Sequence, residues 1–267
     1  MAKIIAGLAA GLSGAVDGLS FYKMRGVDKT IVRRSSGHTK EKVKNDPNLD
    51  LVRRETSEFG GRAKASKYLM QALHVHKPMA DYNIAGPLTA LMKPLQELDT
   101  TTEYSKRGIF LSAHPQFIKG FSLNRNHPFD SVIRYPVRAT IDRETLSAKV
   151  YFPELIPAIN FVPPVNHPYY ALRVSLGIVP DIVYNGKSYG PVHEEYPENN
   201  FIFRDTSWFP LLKGSAALEV ELSHDSFPPD TNFTLVLAVG ILYGVLKGDS
   251  DIDQAPYVGS AKVLEVG

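Results

Sequence analysis

The sequence predicts a mainly β fold: a β-sandwich or jelly-roll-like body with an N-terminal β arm and hairpin and an inserted short helical region. Three observations predict it. Nineteen prolines and twenty glycines in 267 residues interrupt the chain too often for a helical bundle. Beyond Thr100, seven short β-like runs follow one another, separated by proline, glycine and asparagine. The first 22 residues contain a run, 4–16, whose large side chains fall on alternate positions. An apolar fraction of 43% against 22% charged residues suits a chain with a buried core, and the length suffices for one large domain or two modest ones.

In the arm the even positions read Ile4, Ala6, Leu8, Ala10, Leu12, Gly14 and Val16, and the odd ones Gly7, Ala9, Gly11, Ser13 and Ala15. Side chains on a strand alternate between faces, so one face carries apolar knobs and the other is nearly bare. Ile4, Leu8, Leu12 and Val16 also fit one face of a helix. Gly7, Gly11 and Gly14 inside that helix would each cost roughly 1 kcal/mol relative to alanine, which a short isolated helix cannot absorb. Lys3 followed by about a dozen apolar and small residues also has the form of a secretory leader, but cleavage is not expected of a chain that begins at Met1. The run falls short of the roughly 20 residues of a membrane helix. So does 233–246, which reads as a core strand or strand pair, and no membrane span is expected.

After the arm, 19–24 and 30–34 are β-rich and flank Arg25-Gly26-Val27-Asp28, a hairpin signal. Residues 35–45 are polar and basic, a loop or linker. Asp46-Pro47-Asn48 offers helix-start signals, and Leu49, Val52, Phe59, Ala63, Leu69 and Leu73 recur at roughly helical spacing, with a break expected at Gly60-Gly61. A second helix is expected over 87–98, with Pro87 in its first turn and Pro94 bending it. The seven β runs are 109–111, 131–141, 148–152, 169–183, 216–222, 233–246 and 257–266, with turns at Tyr184-Asn185-Gly186-Lys187 and Pro228-Pro229-Asp230 and a loop at Asp249-Ser250-Asp251. The domain expectation is therefore 1–45 for arm and hairpin, 46–106 for the helical segment and 107–267 for the sandwich.

Gly7, Gly11, Ser13, Gly14, Val16, Leu19, Phe21, Tyr22, Gly26 and Arg33, the helical stretch 59–73 and the terminal Tyr257-Val258-Gly259-Ser260 together resemble a family of uncharacterised Bacteroidota proteins that begin with a short glycine-rich strand. Asp17 stands where that pattern has a glycine. The resemblance is confined to the termini. It implies a modular non-enzyme and brings no chemistry with it.

The chemistry-bearing patterns are weak. The absence of cysteine removes disulfides, thiolate metal sites and cysteine nucleophiles. Gly186-Lys187-Ser188 has the ending of a phosphate loop, but Asp181 stands where the upstream glycine is required. His74 and His76 would point about 200° apart on a helix and read as a surface pair at its end. His114, His127 and His167 each precede a proline, which makes them turn punctuation. His193-Glu194-Glu195 with Glu198 is the densest titratable cluster and reads as an acidic loop. Asp249, Asp251 and Asp253 alternate but lack the glycine and distal glutamate of a calcium loop. Tyr169, Tyr170, Tyr184, Tyr189, Tyr196 and Trp208 are candidates for a glycan-binding face or, more simply, for core and rim. Asn232-Phe233-Thr234 is a glycosylation sequon by pattern. No metal and no cofactor is expected.

The charge is uneven. Residues 1–70 hold 14 Lys and Arg against 7 Asp and Glu, whereas 71–267 hold 16 against 21, an asymmetry suited to head-to-tail association. The basic stretch Lys29, Arg33, Arg34, Lys40, Lys42 and Lys44 has no aromatic residue to stack a base, which argues against nucleic acid. The expectation is a non-catalytic structural subunit that self-assembles into a filament or other homopolymer by donating its N-terminal strand, with Ile4, Leu8, Leu12, Val16, Leu19 and Phe21 as the interface. Its partner is itself, and an extracellular or cell-surface setting suits it. The alternative is a monomeric cell-surface module for a glycan or peptide, with the arm kept in its own sheet.

Overall fold

The computed structural model describes residues 2–4, 13–24, 27–34, 38–197, 200–225, 227–248 and 251–267. The chain divides into two compact units, Met1–Thr56 and Ser57–Gly267. The expected class holds: the fold is mainly β, with antiparallel sheets, an N-terminal hairpin and a helical region.

In the first unit, β1 (Ala2–Ile4), β2 (Gly14–Val16), β3 (Leu19–Met24) and β4 (Val27–Arg34) form an antiparallel sheet in the order β1-β4-β3-β2. Residues 5–12, the middle of the expected arm strand, lie outside the described residues. Asp17 and Gly18 turn the chain from β2 into β3 with φ of +47° and +73°. Positive φ at both central residues is the two-residue turn that matches the twist of its strands. Aspartate, the non-glycine residue type that tolerates this region with asparagine, therefore serves where glycine was expected. The hairpin expected at 25–28 is present but tighter, with Met24 opposite Val27. The stretch read as a loop over 35–45 contains a helix, α1 (Lys40–Asn45), because Thr39 caps it by accepting from Lys42 N at 3.2 Å.

The second unit takes in most of α2 (Asp50–Ala72), then α3 (Ala85–Glu97), α4 (Phe129–Val132), β5 (Arg138–Asp142), β6 (Ser147–Phe152), β7 (Tyr169–Pro180), β8 (Ile182–Tyr184), β9 (Tyr189–Pro191), β10 (Phe201–Asp205), β11 (Phe209–Pro210), β12 (Leu218–Ser223), β13 (Phe233–Lys247) and β14 (Asp251–Val266). Its central sheet runs β10-β7-β13-β14, with β11 beside β10 on β7, and a second sheet runs β12-β6-β5. Three expectations are corrected. The run 109–111 is no strand: Ile109 makes an isolated bridge to Ile182 and Leu111 is already in a turn. The run 131–141 begins as helix α4 and becomes a strand only after Pro136, at Arg138. The segment around Pro228-Pro229-Asp230 is no hairpin turn, since β12 and β13 belong to different sheets. Strand β10 went unforeseen, although Phe201, Ile202 and Phe203 are good strand formers.

β7 and β13 are buried on both faces, which explains their nearly unbroken apolar composition. Tyr170, Leu172, Val174, Leu176 and Ile178 of β7, with the odd positions of β13, pack against Ala148, Val150 and Phe152 of β6 and Val220 and Leu222 of β12. Ala171 and Val179, with Val236, Ala238 and Leu242, pack instead against Tyr68, Leu69 and Ala72 of α2 and Leu88, Met92 and Leu95 of α3. The unit is a two-sheet sandwich with a helical layer on its outer face. Close approach of that layer depends on Gly177, where a Cβ would come within 2.5 Å of the Ala72 Cβ.

α2 continues through Gly60-Gly61, where a break was expected. The two glycines cost roughly 2 kcal/mol of propensity, and the packing of eight buried residues along α2 outweighs this. They are not equivalent. A Cβ on Gly60 would meet nothing within 4 Å, whereas one on Gly61 would come within 2.7 Å of the Tyr189 ring. Gly60→Ala is expected to stabilise the protein by about 0.5–1 kcal/mol, and Gly61→Ala to destabilise it by about 1–3 kcal/mol. Urea titrations of the two variants check both signs.

Candidate functional site

The register of the N-terminal sheet decides which side chains share a face, because directly opposed residues point the same way. Val16 lies opposite Leu19, Gly14 opposite Phe21, and Phe21 opposite Val32, while Leu19 is flanked on its other side by Arg34. Val16, Leu19, Phe21 and Val32 therefore form one apolar face bordered by a guanidinium. Val16 is 56% exposed and Leu19 39%. The opposite face carries Ser20, Tyr22, Ile31 and Arg33, with the Arg33 guanidinium 5.8 Å from the Tyr22 ring centroid. Among the residues of this unit whose burial is described, 13–24, 29–34 and 38–56, only Thr30 and Ile31 are buried. Three of the expected interface residues, Val16, Leu19 and Phe21, are thus brought together on one face. Ile4 takes the register position opposite Thr30, and Leu8 and Leu12 lie outside the described residues. Lys23, Lys29, Arg33, Arg34, Lys40, Lys42 and Lys44 are all exposed, so the unit is strongly cationic in its solvated parts.

Several histidines and carboxylates of the second unit are built into its structure. His74 and His76 do not form a surface pair: they fall in a short 3-10 helix (His74–Met79), with His74 exposed and His76 wholly buried. His76 Nε2 is 2.9 Å from Ser175 Oγ, and Nδ1 has no hydrogen-bond partner. A serine beside a histidine is the start of a nucleophilic pair, but Ser175 is also wholly buried, so no substrate can reach its hydroxyl. Burial, reinforced by the nearby Arg173 charge, pushes His76 down from its ordinary value of 6.5 to about 3. Arg173 itself clamps Asp205 with Nε and Nη2, each at 2.7 Å, and donates from Nη1 to Val75 O.

His193 has the partner that its sequence neighbours do not reveal, Asp230 Oδ2 at 3.4 Å. Asp230 also accepts from the Tyr196 hydroxyl and from Asn232 N at 2.8 Å. Burial and the hydrogen bond to Asp230 push the Tyr196 hydroxyl far up. Glu194 and Glu195 are exposed, and Glu198 lies outside the described residues. Within the aspartate alternation, Asp249 is outside the described residues and Asp253 is paired with Lys247 at 2.8 Å. Among the described residues no group of three His, Asp or Glu side chains converges as metal ligands. Of the six aromatics, Tyr170 and Tyr196 are buried and Tyr169, Tyr184, Tyr189 and Trp208 are half-buried. No helix among the described residues is long and apolar enough to cross a membrane.

Behind α2, the wholly buried Glu58 accepts from Arg107 Nε at 2.7 Å and Nη2 at 2.6 Å, and from Ser105 N at 3.1 Å. Asp99 is pushed up by burial, but hydrogen bonds from Gly108, Thr102 and Thr101 outweigh this and hold it at about 2. These two carboxylates fix the 99–108 segment to the helical layer.

Compared with protein-family models, with curated proteins and with solved structures, the chain matches none of them.

Two outcomes are expected. Arg107→Met strands Glu58 and costs about 3–5 kcal/mol, most of which returns in the Glu58→Met, Arg107→Met double variant; chemical denaturation of both measures it. His76 is neutral in the fold, while the unfolded chain takes up a proton as pH falls below 6.5. Its contribution is therefore fully present above pH 6.5 and is lost towards pH 3, with a slope of about 1.4 kcal/mol per pH unit. His76→Gln removes that share of the slope, which denaturation curves between pH 6.5 and 4 read directly.

Proposed function

We propose that this chain is a non-catalytic structural subunit that assembles with copies of itself through its N-terminal β unit, forming a filament or another homopolymer. The observation that carries the reading is the apolar face of Val16, Leu19, Phe21 and Val32 on a sheet that, among the residues whose burial is described, buries only Thr30 and Ile31. A small sheet gains independent stability by covering such a face. A second copy is the occupant best matched in charge, because the basic front of the chain complements the acidic balance of 71–267. Donor and acceptor patches differ, so the contact is heterologous and propagates into rings or open filaments.

Magnitudes show why the arm is needed as well as the face. Covering four apolar side chains contributes about 6–12 kcal/mol at most, and association costs about 4–15 kcal/mol. Ile4, Leu8 and Leu12, added as a strand to the neighbour's sheet, supply further apolar area and a ladder of backbone hydrogen bonds. Among the described residues β1 and β2 are each held in their own sheet by three residue pairs, so exchange gives up little that the neighbour's identical sheet does not return.

Negative-stain electron microscopy of the full chain and of a version lacking residues 1–18 tests this. Filaments or rings are expected for the full chain and are lost in the truncated version and in a Val16→Lys, Leu19→Lys variant. Compact, monodisperse particles of the full chain at every concentration would overturn the reading.

A further inference from the structure

At the end of the sandwich where β6 finishes and β5 begins, three segments are sewn together through their backbones. Ile133 bridges Phe161, with Arg134 N donating to Asn160 O and Val162 N to Val132 O, each at 2.8 Å. Leu155 bridges Ser215, with N–H···O bonds of 2.8 and 3.1 Å. Ile133, Leu155, Phe161 and Leu211 are buried and pin the segments to the core, yet close to each pin a large apolar side chain is left in solvent: Tyr135, Ile156, Ile159 at 69% and Leu212 at 85%. Ile159 closes one turn, donating from N to Ile156 O at 3.2 Å, and Leu212 stands at the corner of another, closed by Lys213 N on Pro210 O at 3.1 Å. Glycine, asparagine, aspartate and serine are the ordinary occupants of such positions. The shape is also enforced. Ala158 and Gly214 hold φ of +63° and +67°, a Cβ at Gly214 would collide with Leu155 O, and the Asn160 amide accepts from Ile156 N at 2.7 Å and donates to Glu154 O at 2.8 Å. A left-handed alanine is strained, and strain of this kind collects where a fixed shape is used.

We propose that this end of the sandwich docks on the surface of a lipid bilayer, with Ile159 and Leu212 entering the boundary between headgroups and acyl chains. Ile156 and Tyr135 lie at headgroup level, where an aromatic ring with a polar tip is at home. The charged residues of the three segments are Arg134 and Lys213 against Glu154, all exposed, a balance that favours anionic headgroups. The surface is a projection made of turns, and a bilayer takes up such a projection to a depth of about 5–10 Å without offering a shaped pocket. A protein partner would have to supply that pocket, and the cationic N-terminal unit of a second copy matches Arg134 and Lys213 poorly in charge. The docking is independent of self-assembly, because none of these residues belongs to the N-terminal sheet.

The chain has no cysteine, so Leu212→Cys in the full chain takes a single nitrobenzoxadiazole label, and Glu144→Cys, in the exposed turn at the far end of the β5-β6 hairpin, takes the control label. Both are titrated with phosphatidylcholine vesicles, with and without phosphatidylglycerol. Emission at position 212 is expected to rise and to be quenched by lipids brominated on their acyl chains, and emission at position 144 to do neither. In co-sedimentation the Ile159→Asp, Leu212→Asp variant is expected to bind roughly tenfold or more weakly, and Lys213→Gln to bind anionic vesicles roughly fivefold more weakly, the value of one basic residue at such a surface. Both sites of the double variant are exposed, so its thermal midpoint stays close to that of the parent. The proposal is overturned if no vesicles bind, or if they bind through the cationic N-terminal unit alone, seen as co-sedimentation that the double variant leaves intact while the label at position 212 stays silent. A label at position 212 that responds to protein concentration without vesicles makes this end a protein contact and overturns it equally.

Discussion

The structure depends on the burial of β7 and β13 on both faces. Two adjacent antiparallel strands, 12 and 15 residues long, put one set of side chains into the sandwich and the alternate set under the helices. Every other element of the second unit is placed by one of these two cores. β6 and β12 close the first, and α2, the 3-10 helix and α3 close the second. Buried polar groups are tolerated where they tie the layers together, as at His76 with Ser175 and at Asn124, which donates to Met79 O and Gly259 O and accepts from Ala261 N. Each such group is costly to bury alone and stabilising once its partners are in place.

The N-terminal unit follows the opposite rule. Its strands are short and its backbone is laddered, but Val16, Leu19 and Met24 remain exposed. The second unit closes two cores, whereas the N-terminal unit leaves Val16 and Leu19 of its apolar face exposed. The proposed assembly rests on that contrast and on the separation of charge between the two ends of the sequence.

Much of the fold was legible because it is written in local patterns. Six of the seven β runs and the two helical stretches each report a periodicity within about a dozen residues. Asp17-Gly18 was equally legible as a hairpin signal, and Thr39 ahead of Lys-Glu-Lys as a cap, yet both are easily overlooked beside the longer patterns that surround them. Gly60-Gly61 misled for a different reason. Propensity counts against glycine in a helix, but Gly61 is required by the Tyr189 ring, which reaches it from 128 positions away.

The candidate sites divide in the same way. Val16, Leu19 and Phe21 could be grouped from sequence because strand alternation and one tight turn suffice to place them on a common face. The burial of His76 against Ser175 and the pairing of His193 with Asp230 join residues 30 or more positions apart. The sequence by itself determined the β character of the chain, its helical segments and its apolar N-terminal face, since these follow from the spacing of neighbours along the backbone. Only the tertiary structure decided which histidine is buried and which glycine admits no side chain, because each depends on what another layer of the fold brings against it.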